Sequence, residues 1–316
     1  MRVEPSQLAP GCVLLKDVKG KTTKPIIPEK TVLTEEHITV LHKFLVATVD
    51  VSATLADGRP FNPEAANEAK RTASTEWIAS RSFAKQYQDA VDDYKKLFKN
   101  WQHYAMVDIA DVRQVLIPLF ESIDHVGLAV YTLDQYATST DYVYHHSVSV
   151  GILAAFLAKQ LGYEKGEWLQ VGLAGALSDC GMARVDETLM TKDKPLNRSE
   201  LDDIRKHPVY SYRMIEKAAA LTQVVKLAVL QHHERLDGSG YPLGLEKDNI
   251  HRYSRIIAVC DMYHAMTCER FYQKKQSPFA AIKKLQHDHF TKLDHHIVQV
   301  FIDGFVHLSS DASANS

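Results

Sequence analysis

No Cys-x-x-Cys pair occurs in this chain. Its four cysteines, Cys12, Cys180, Cys260 and Cys268, are scattered and read as free, buried thiols of a reducing cytoplasm. No basic segment followed by a long apolar run opens the sequence, so no secretory signal is expected. No apolar stretch approaches the ~20 residues that a helix needs to cross a bilayer. Excess positive charge is missing too. The formal net charge is -2, which excludes broad attraction to DNA or anionic lipid and leaves an anionic ligand only a local pocket. Internal repeats and low-complexity tracts are also lacking.

What is there reads as ordinary globular protein. The 316 residues are 45% hydrophobic, a composition and length that suit about two domains. Sixteen histidines are more than usual for this length. His37, His42, His287, His289, His295 and His296 lie in polar surroundings and read as surface residues.

Residues 12–52 read as a small β-rich unit. Val13-Leu14-Leu15 is a short apolar run, and Ala47 to Val51 alternates like a strand. Ile26-Ile27 precedes Pro28, which argues against a central strand. Residues 53–70 contain Gly58, Pro60 and Pro63 and read as a linker. From about Thr72 to Tyr104 apolar residues recur at helical intervals, including Phe83, Tyr87, Val91, Tyr94, Phe98 and Trp101. That stripe packs within the chain or against a second copy, leaving a homodimer open. Beyond Val107 almost everything is helical: segments are expected over Val112–Tyr136, Tyr142–Leu161, Glu167–Leu177, within Ser199–Leu221, and over Thr222–His233, Arg255–Thr267 and Pro278–His287. The division is therefore 1–60, a β-rich unit; 61–108, a linker and amphipathic helix; and 109–316, an all-α bundle. The fold class is mostly α, and ligand sites are expected between facing helices.

Candidate metal ligands recur on successive helices. They are His146, Asp179 at the end of an apolar helix, His207 before Pro208, the pair His232-His233, and Asp261 after Ile256-Ile257-Ala258-Val259. Imidazole binds iron, zinc, nickel and copper. An aspartate ending an apolar run is costly to bury unless a cation or hydrogen bonds satisfy it. His145 adjoins His146, but helical neighbours point about 100° apart, so both cannot easily face one ion.

The stretch His232-His233-Glu234-Arg235-Leu236-Asp237-Gly238-Ser239-Gly240-Tyr241-Pro242, with His146-Ser147, the Asp179 segment, Lys206-His207-Pro208, Asp261 and Arg270-Phe271-Tyr272, resembles the HD-GYP family of bacterial phosphohydrolases over about residues 109–305. The resemblance implies an all-α HD-type bundle that cleaves cyclic di-GMP with iron or manganese ions. It implies His146 and Asp261 on a first metal, Asp179 as the bridge and the central catalytic residue, and His207, His232 and His233 on a second. It implies Arg270, Lys274 and Tyr241 near the substrate. The Gly-Tyr-Pro loop is a candidate contact for a signalling protein.

The sequence departs from that family at four places. The family's His-Asp doublet reads Ser178-Asp179, the lysine three residues on is Met182, the second basic residue near the end is Gln273, and the residue one turn before His146 is Tyr142 where three-metal members carry glutamate. One or two divalent ions are expected. Losing a ligand and a phosphate-facing lysine predicts an impaired phosphodiesterase or, as the alternative, a receptor or scaffold that binds cyclic di-GMP without cleaving it. A different nucleotide substrate is the third reading.

Overall fold

The structure is a computed structural model that describes residues 1–19, 25–43, 46, 48–123, 126–138, 140–192, 194–269, 274–288 and 291–314. The chain divides into two compact units, Met1–Ile78 and Ala79–Ala314.

The first unit contains β1 (Arg2–Val3), β2 (Val18–Lys19), β3 (Pro25–Ile27), α1 (Glu35–Lys43) and β4 (Val49–Asp50). β1 pairs antiparallel with β4, and β2 with β3. β3 belongs to a two-stranded sheet, the kind of edge at which Pro25 costs no central ladder bond. Leu8, Leu14, Leu33, Leu41 and Val51 are fully buried and form the centre of this small core.

The long helix α2 (Pro63–Gln102) starts inside the stretch read as linker. Proline suits the first helical turn, where its missing N–H has no partner to lose, so Pro63 opens the helix instead of forbidding it. The division between the two compact units falls within α2, between residues 78 and 79. Phe83, Tyr87, Tyr94, Phe98 and Trp101 are buried in the larger unit's core, so the stripe is taken up by packing within the chain.

The second unit holds α3 (Ile109–Glu121), α4 (Tyr142–Gln160), α5 (Lys165–Leu177), α6 (Glu187–Met190), α7 (Arg198–Ile204), α8 (His207–Ile215), α9 (Gln223–Gln231), α10 (Arg252–Thr267), α11 (Pro278–Asp288) and α12 (His295–Ala314). The protein is mostly α, as expected. The helix expected over Val112–Tyr136 is broken. Ser122 caps α3 with its N–H and hydroxyl turned back to Leu119, and Gly127 adopts φ +56 before a 3₁₀ segment, Gly127–Tyr136. A right-handed helix cannot run through a left-handed residue. α12 extends the helical series beyond the point where the sequence pattern ends it. No helix among the described residues is long and apolar enough to cross a membrane.

α4 is buried from His145 to Ala158 and lies closely against α5. A β-carbon on Gly172 would stand 2.9 Å from the Ala155 β-carbon and 2.8 Å from the Phe120 ring. The missing side chain lets the two backbones approach. That approach brings the first turn of α4, with His146, towards the end of α5, with Asp179.

Candidate metal centre

Five elements deliver six side chains to one place. His146 comes from the first turns of α4, and Asp179 from the turn that ends α5. His207 is the first residue of α8, His232 and His233 follow the end of α9, and Asp261 lies within α10. Asp179 spans the group. Its Oδ1 is 3.1 Å from His207 Nε2 and 3.4 Å from His232 Nε2, while its Oδ2 is 3.5 Å from His146 Nε2. Asp261 Oδ1 is 3.0 Å from His146 Nε2, and its Oδ2 is 3.5 Å from His233 Nδ1. The candidate ligand atoms of Asp179, His207, His232 and His233 all lie within 4.8 Å of one another. Side-chain exposure is 0% at His232 but 15% at Asp179, 14% at His233 and 10% at Asp261, so the last three form the open edge.

The Asp179 turn is held by close packing. A β-carbon on Gly181 would fall 2.3 Å from the His207 carbonyl oxygen and from Ser211 N, so only glycine allows this approach to α8. Ser211 Oγ accepts from Gly181 N at 2.8 Å and donates to the Ser178 carbonyl at 2.6 Å.

The proton inventory decides what the cluster can hold. His207 Nδ1 lies 2.8 Å from the Ile204 carbonyl, and His232 Nδ1 2.7 Å from the Val229 carbonyl. A carbonyl only accepts, so each Nδ1 carries the proton and each neutral ring aims an Nε2 lone pair at the centre. The two Nε2 atoms are 3.2 Å apart. Asp179 Oδ1, buried and without a donor while both rings are neutral, faces the same point. Three electron pairs converging in a buried place require a positive charge between them. An ion about 2.1 Å from each ligand would set neighbouring ligand atoms about 3.0–3.4 Å apart, which is the spacing seen. These residues therefore fit a divalent cation.

Without one, protons must serve. Burial disfavours charge on His207, but Asp179 outweighs it and raises that histidine's pKa. Burial would likewise raise the Asp179 carboxyl, yet the charge and hydrogen bonds of His207, with His232 and His146, hold it well below the usual carboxylate range. His233 moves the opposite way: burial and its histidine neighbours push it well down, leaving it neutral and ready to ligate.

The substituted positions have local partners. Ser178 Oγ donates to the Gly175 carbonyl at 2.6 Å, and Met182 packs partly buried against the core. His145 hydrogen-bonds Tyr87, whose hydroxyl also meets Ser149, so its ring serves a buried network away from the cluster. The Tyr142 ring stacks on His146 at 5.0 Å.

The Gly-Tyr-Pro loop has a scaffold that residue types alone do not reveal. Glu234 is buried and accepts from Leu243 N and Leu245 N at 2.7 and 2.9 Å. Asp237 accepts from the Ser239 N–H and hydroxyl, so it shapes the turn. The Tyr241 ring lies 4.7 Å from that of His233, with the Arg205 guanidinium over it at 5.5 Å. Arg205 is absent from the candidates read in the sequence, as is His264, whose Nδ1 is 2.9 Å from His146 Nδ1. Its place one turn after Asp261 on α10 was the available signal. Lys274 is exposed, and Arg270, with Phe271, Tyr272 and Gln273, lies outside the described residues.

Residues 132–297 match the HD domain family. A cyclic di-GMP phosphodiesterase of Pseudomonas aeruginosa is 33% identical over 189 residues, 60% of this chain and 46% of that protein. The cyclic di-GMP phosphodiesterase PdeB of Borreliella burgdorferi is 30% identical over 165 residues, 52% of this chain and 43% of that protein. The 3'3'-cGAMP-specific phosphodiesterase 1 of Vibrio cholerae is 31% identical over 163 residues, 52% of this chain and 38% of that protein. The chain thus spans less than half the length of these relatives. An HDG"Y"P protein of Bdellovibrio bacteriovorus has a similar fold, with TM-score 0.55 at 16% identity, covering 96% of this chain and 98% of that one. The chain belongs to the HD domain family.

Proposed function

We propose that this chain is a cytoplasmic, metal-dependent phosphodiesterase acting on cyclic di-GMP, with turnover reduced by the residues at 178 and 182. The observation that carries the reading is the convergence of Asp179 Oδ1 with the Nε2 atoms of His207 and His232. When bound, a divalent ion, iron or manganese by family resemblance, acts as a Lewis acid towards a phosphoryl oxygen and acidifies water. His207, His232, His233 and Asp179 would hold it. Tyr241 and Arg205, stacked beside His233, offer a planar surface and a positive charge to a nucleobase and its phosphate. The same loop is where a signalling partner would dock.

One observation favours the second reading, a cyclic di-GMP receptor that does not cleave. Ser178 Oγ is committed to the Gly175 carbonyl and Met182 to the core, so neither supplies the ligand or charge that phosphoryl transfer uses. Hydrolysis of cyclic di-GMP and 3'3'-cGAMP by manganese-loaded protein separates the readings. Turnover above an Asp179→Ala control supports the enzyme. Tight binding at the control's rate supports the receptor, and faster cleavage of 3'3'-cGAMP reassigns the substrate.

A further inference from the structure

A cavity of about 430 Å³ lies where the end of α2 and the start of α3 meet α8 and the 3₁₀ segment Cys180–Arg184. That volume is within the range of small-molecule sites. Tyr104, Met106, Arg184, Tyr210, Arg213 and Met214 line it, and no carboxylate does. A second cavity, between α2 and α3, is lined by Asp89, Asp93 and Glu121, so the positive lining is particular to the first. Its two cations differ in how they are held. Arg184 is half-buried, donates to the Trp101 carbonyl and lies over the Tyr104 ring at 4.4 Å. Arg213 is exposed and makes no ion pair among the described residues. Tyr104 itself sits in the left-handed turn that ends α2, at φ +63, a place that favours glycine. A bulky residue held there against its backbone preference is an outlier that points to function. Its side chain is 80% exposed, so the turn presents an open aromatic face steadied by a guanidinium.

We propose that this cavity is a second ligand site, separate from the metal centre, that takes a nucleoside monophosphate, with its phosphate on Arg184 and Arg213 and its base on Tyr104. Guanidinium groups match phosphate oxygens with paired N–H donors. A nucleobase stacks on an exposed aromatic ring whatever its sequence identity, and Met106 and Met214 give its edges an apolar, adaptable wall. The two sites share elements but not residues. The segment Cys180–Arg184 runs from Asp179 to this cavity, and α8 runs to it from His207. At 1.5 Å per residue, Arg213 stands about 9 Å along α8 from His207.

The test uses the full chain in excess chelator, which keeps phosphate away from any ion at Asp179, with GMP as the probe and calorimetry as the readout. Wild-type protein is expected to bind one GMP per chain, and guanosine or inorganic phosphate at least tenfold more weakly. Arg213→Met removes an exposed charge, and Tyr104→Gly keeps the left-handed turn while removing the ring, so both variants should fold. Each is expected to weaken GMP binding at least tenfold, and Arg213→Lys, which keeps the charge without the paired donors, to weaken it less. No binding at millimolar GMP, inorganic phosphate bound as tightly as GMP, or an affinity that neither Arg213→Met nor Tyr104→Gly changes overturns the proposal. An aspartate-rich peptide bound more tightly than GMP also overturns it and reassigns the cavity to a protein partner. Should the chain unfold in chelator, the same titrations in Mn2+ decide, because these variants lower affinity at this cavity alone.

Discussion

Asp179 Oδ1 lies 3.1 Å from His207 Nε2, and with that histidine neutral neither atom has a proton to give the other. The contact is favourable only when a positive charge is present. The cluster is therefore built for an occupant, and its stability should report one.

Cation binding should stabilise the fold. At a Mn2+ concentration 100 times Kd, linkage contributes about 2.7 kcal/mol, read as a higher urea midpoint that excess chelator reverses. Asp179→Ala should abolish the dependence on Mn2+. Identical midpoints for wild type with and without Mn2+ would contradict the site.

Ser178→His with Met182→Lys should gain both metal and turnover. The histidine adds a ligand beside Asp179, and ligand-sphere changes of even an indirect kind typically alter affinity about 10- to 100-fold. The lysine supplies charge towards a transferring phosphate, a class of contact worth on the order of 100-fold in rate. Kinetics with cyclic di-GMP and elemental analysis of the double variant check both. A variant that binds more metal and stays inert would place the remaining defect elsewhere, with Gln273 the next candidate.

Glu234→Gln should loosen the Gly-Tyr-Pro loop. The carboxylate accepts from Leu243 N and Leu245 N, and an amide can accept at only one end. Leaving one of these partly buried N–H groups unmet costs about 1 kcal/mol, the low end of the range for a buried donor, seen in urea unfolding and as faster proteolysis between 238 and 246. Unchanged stability and cleavage would show the two N–H groups satisfied by other means.

Asp134 predicts a pH effect remote from the cluster. Burial raises its pKa, against the opposing pull of Lys275. The folded state thus holds this proton more tightly than the unfolded chain does, and stability falls as pH rises from the unfolded value through the folded one. Asp134→Asn removes that slope. The variant should gain on wild type at pH 7, and the gain should shrink as pH drops towards the unfolded carboxylate value of about 3.9. An equal difference at both ends of the range would exclude the mechanism.

Much of the architecture was legible in residue spacing. Apolar runs bounded by polar residues and glycine located α4, α5, α9 and α10 closely, because each is long enough to be a buried helix. Two boundaries fall elsewhere for identifiable reasons. Pro63 reads as a breaker but opens α2, and the end of α3 at Glu121, with Ser122 turned back on Leu119 and Gly127 at φ +56 beyond it, leaves no mark in a periodic window. The six candidate ligands stood out because histidines and aspartates at the ends of apolar runs are expensive to bury alone. The roles of Glu234, Arg205 and His264 did not stand out. Each acts through a partner that is distant in the chain or is a main-chain atom.

Residue order by itself determined which helices form, which side chains can bind a cation, and which ligand and charge are missing at Ser178 and Met182. Only the tertiary structure decided which nitrogen of His207 and of His232 is available. The Ile204 and Val229 carbonyls orient His207 and His232, whereas His264 and Tyr142 meet His146. A tautomer is set by the atom opposite the ring, and that atom takes its place only when the helices pack.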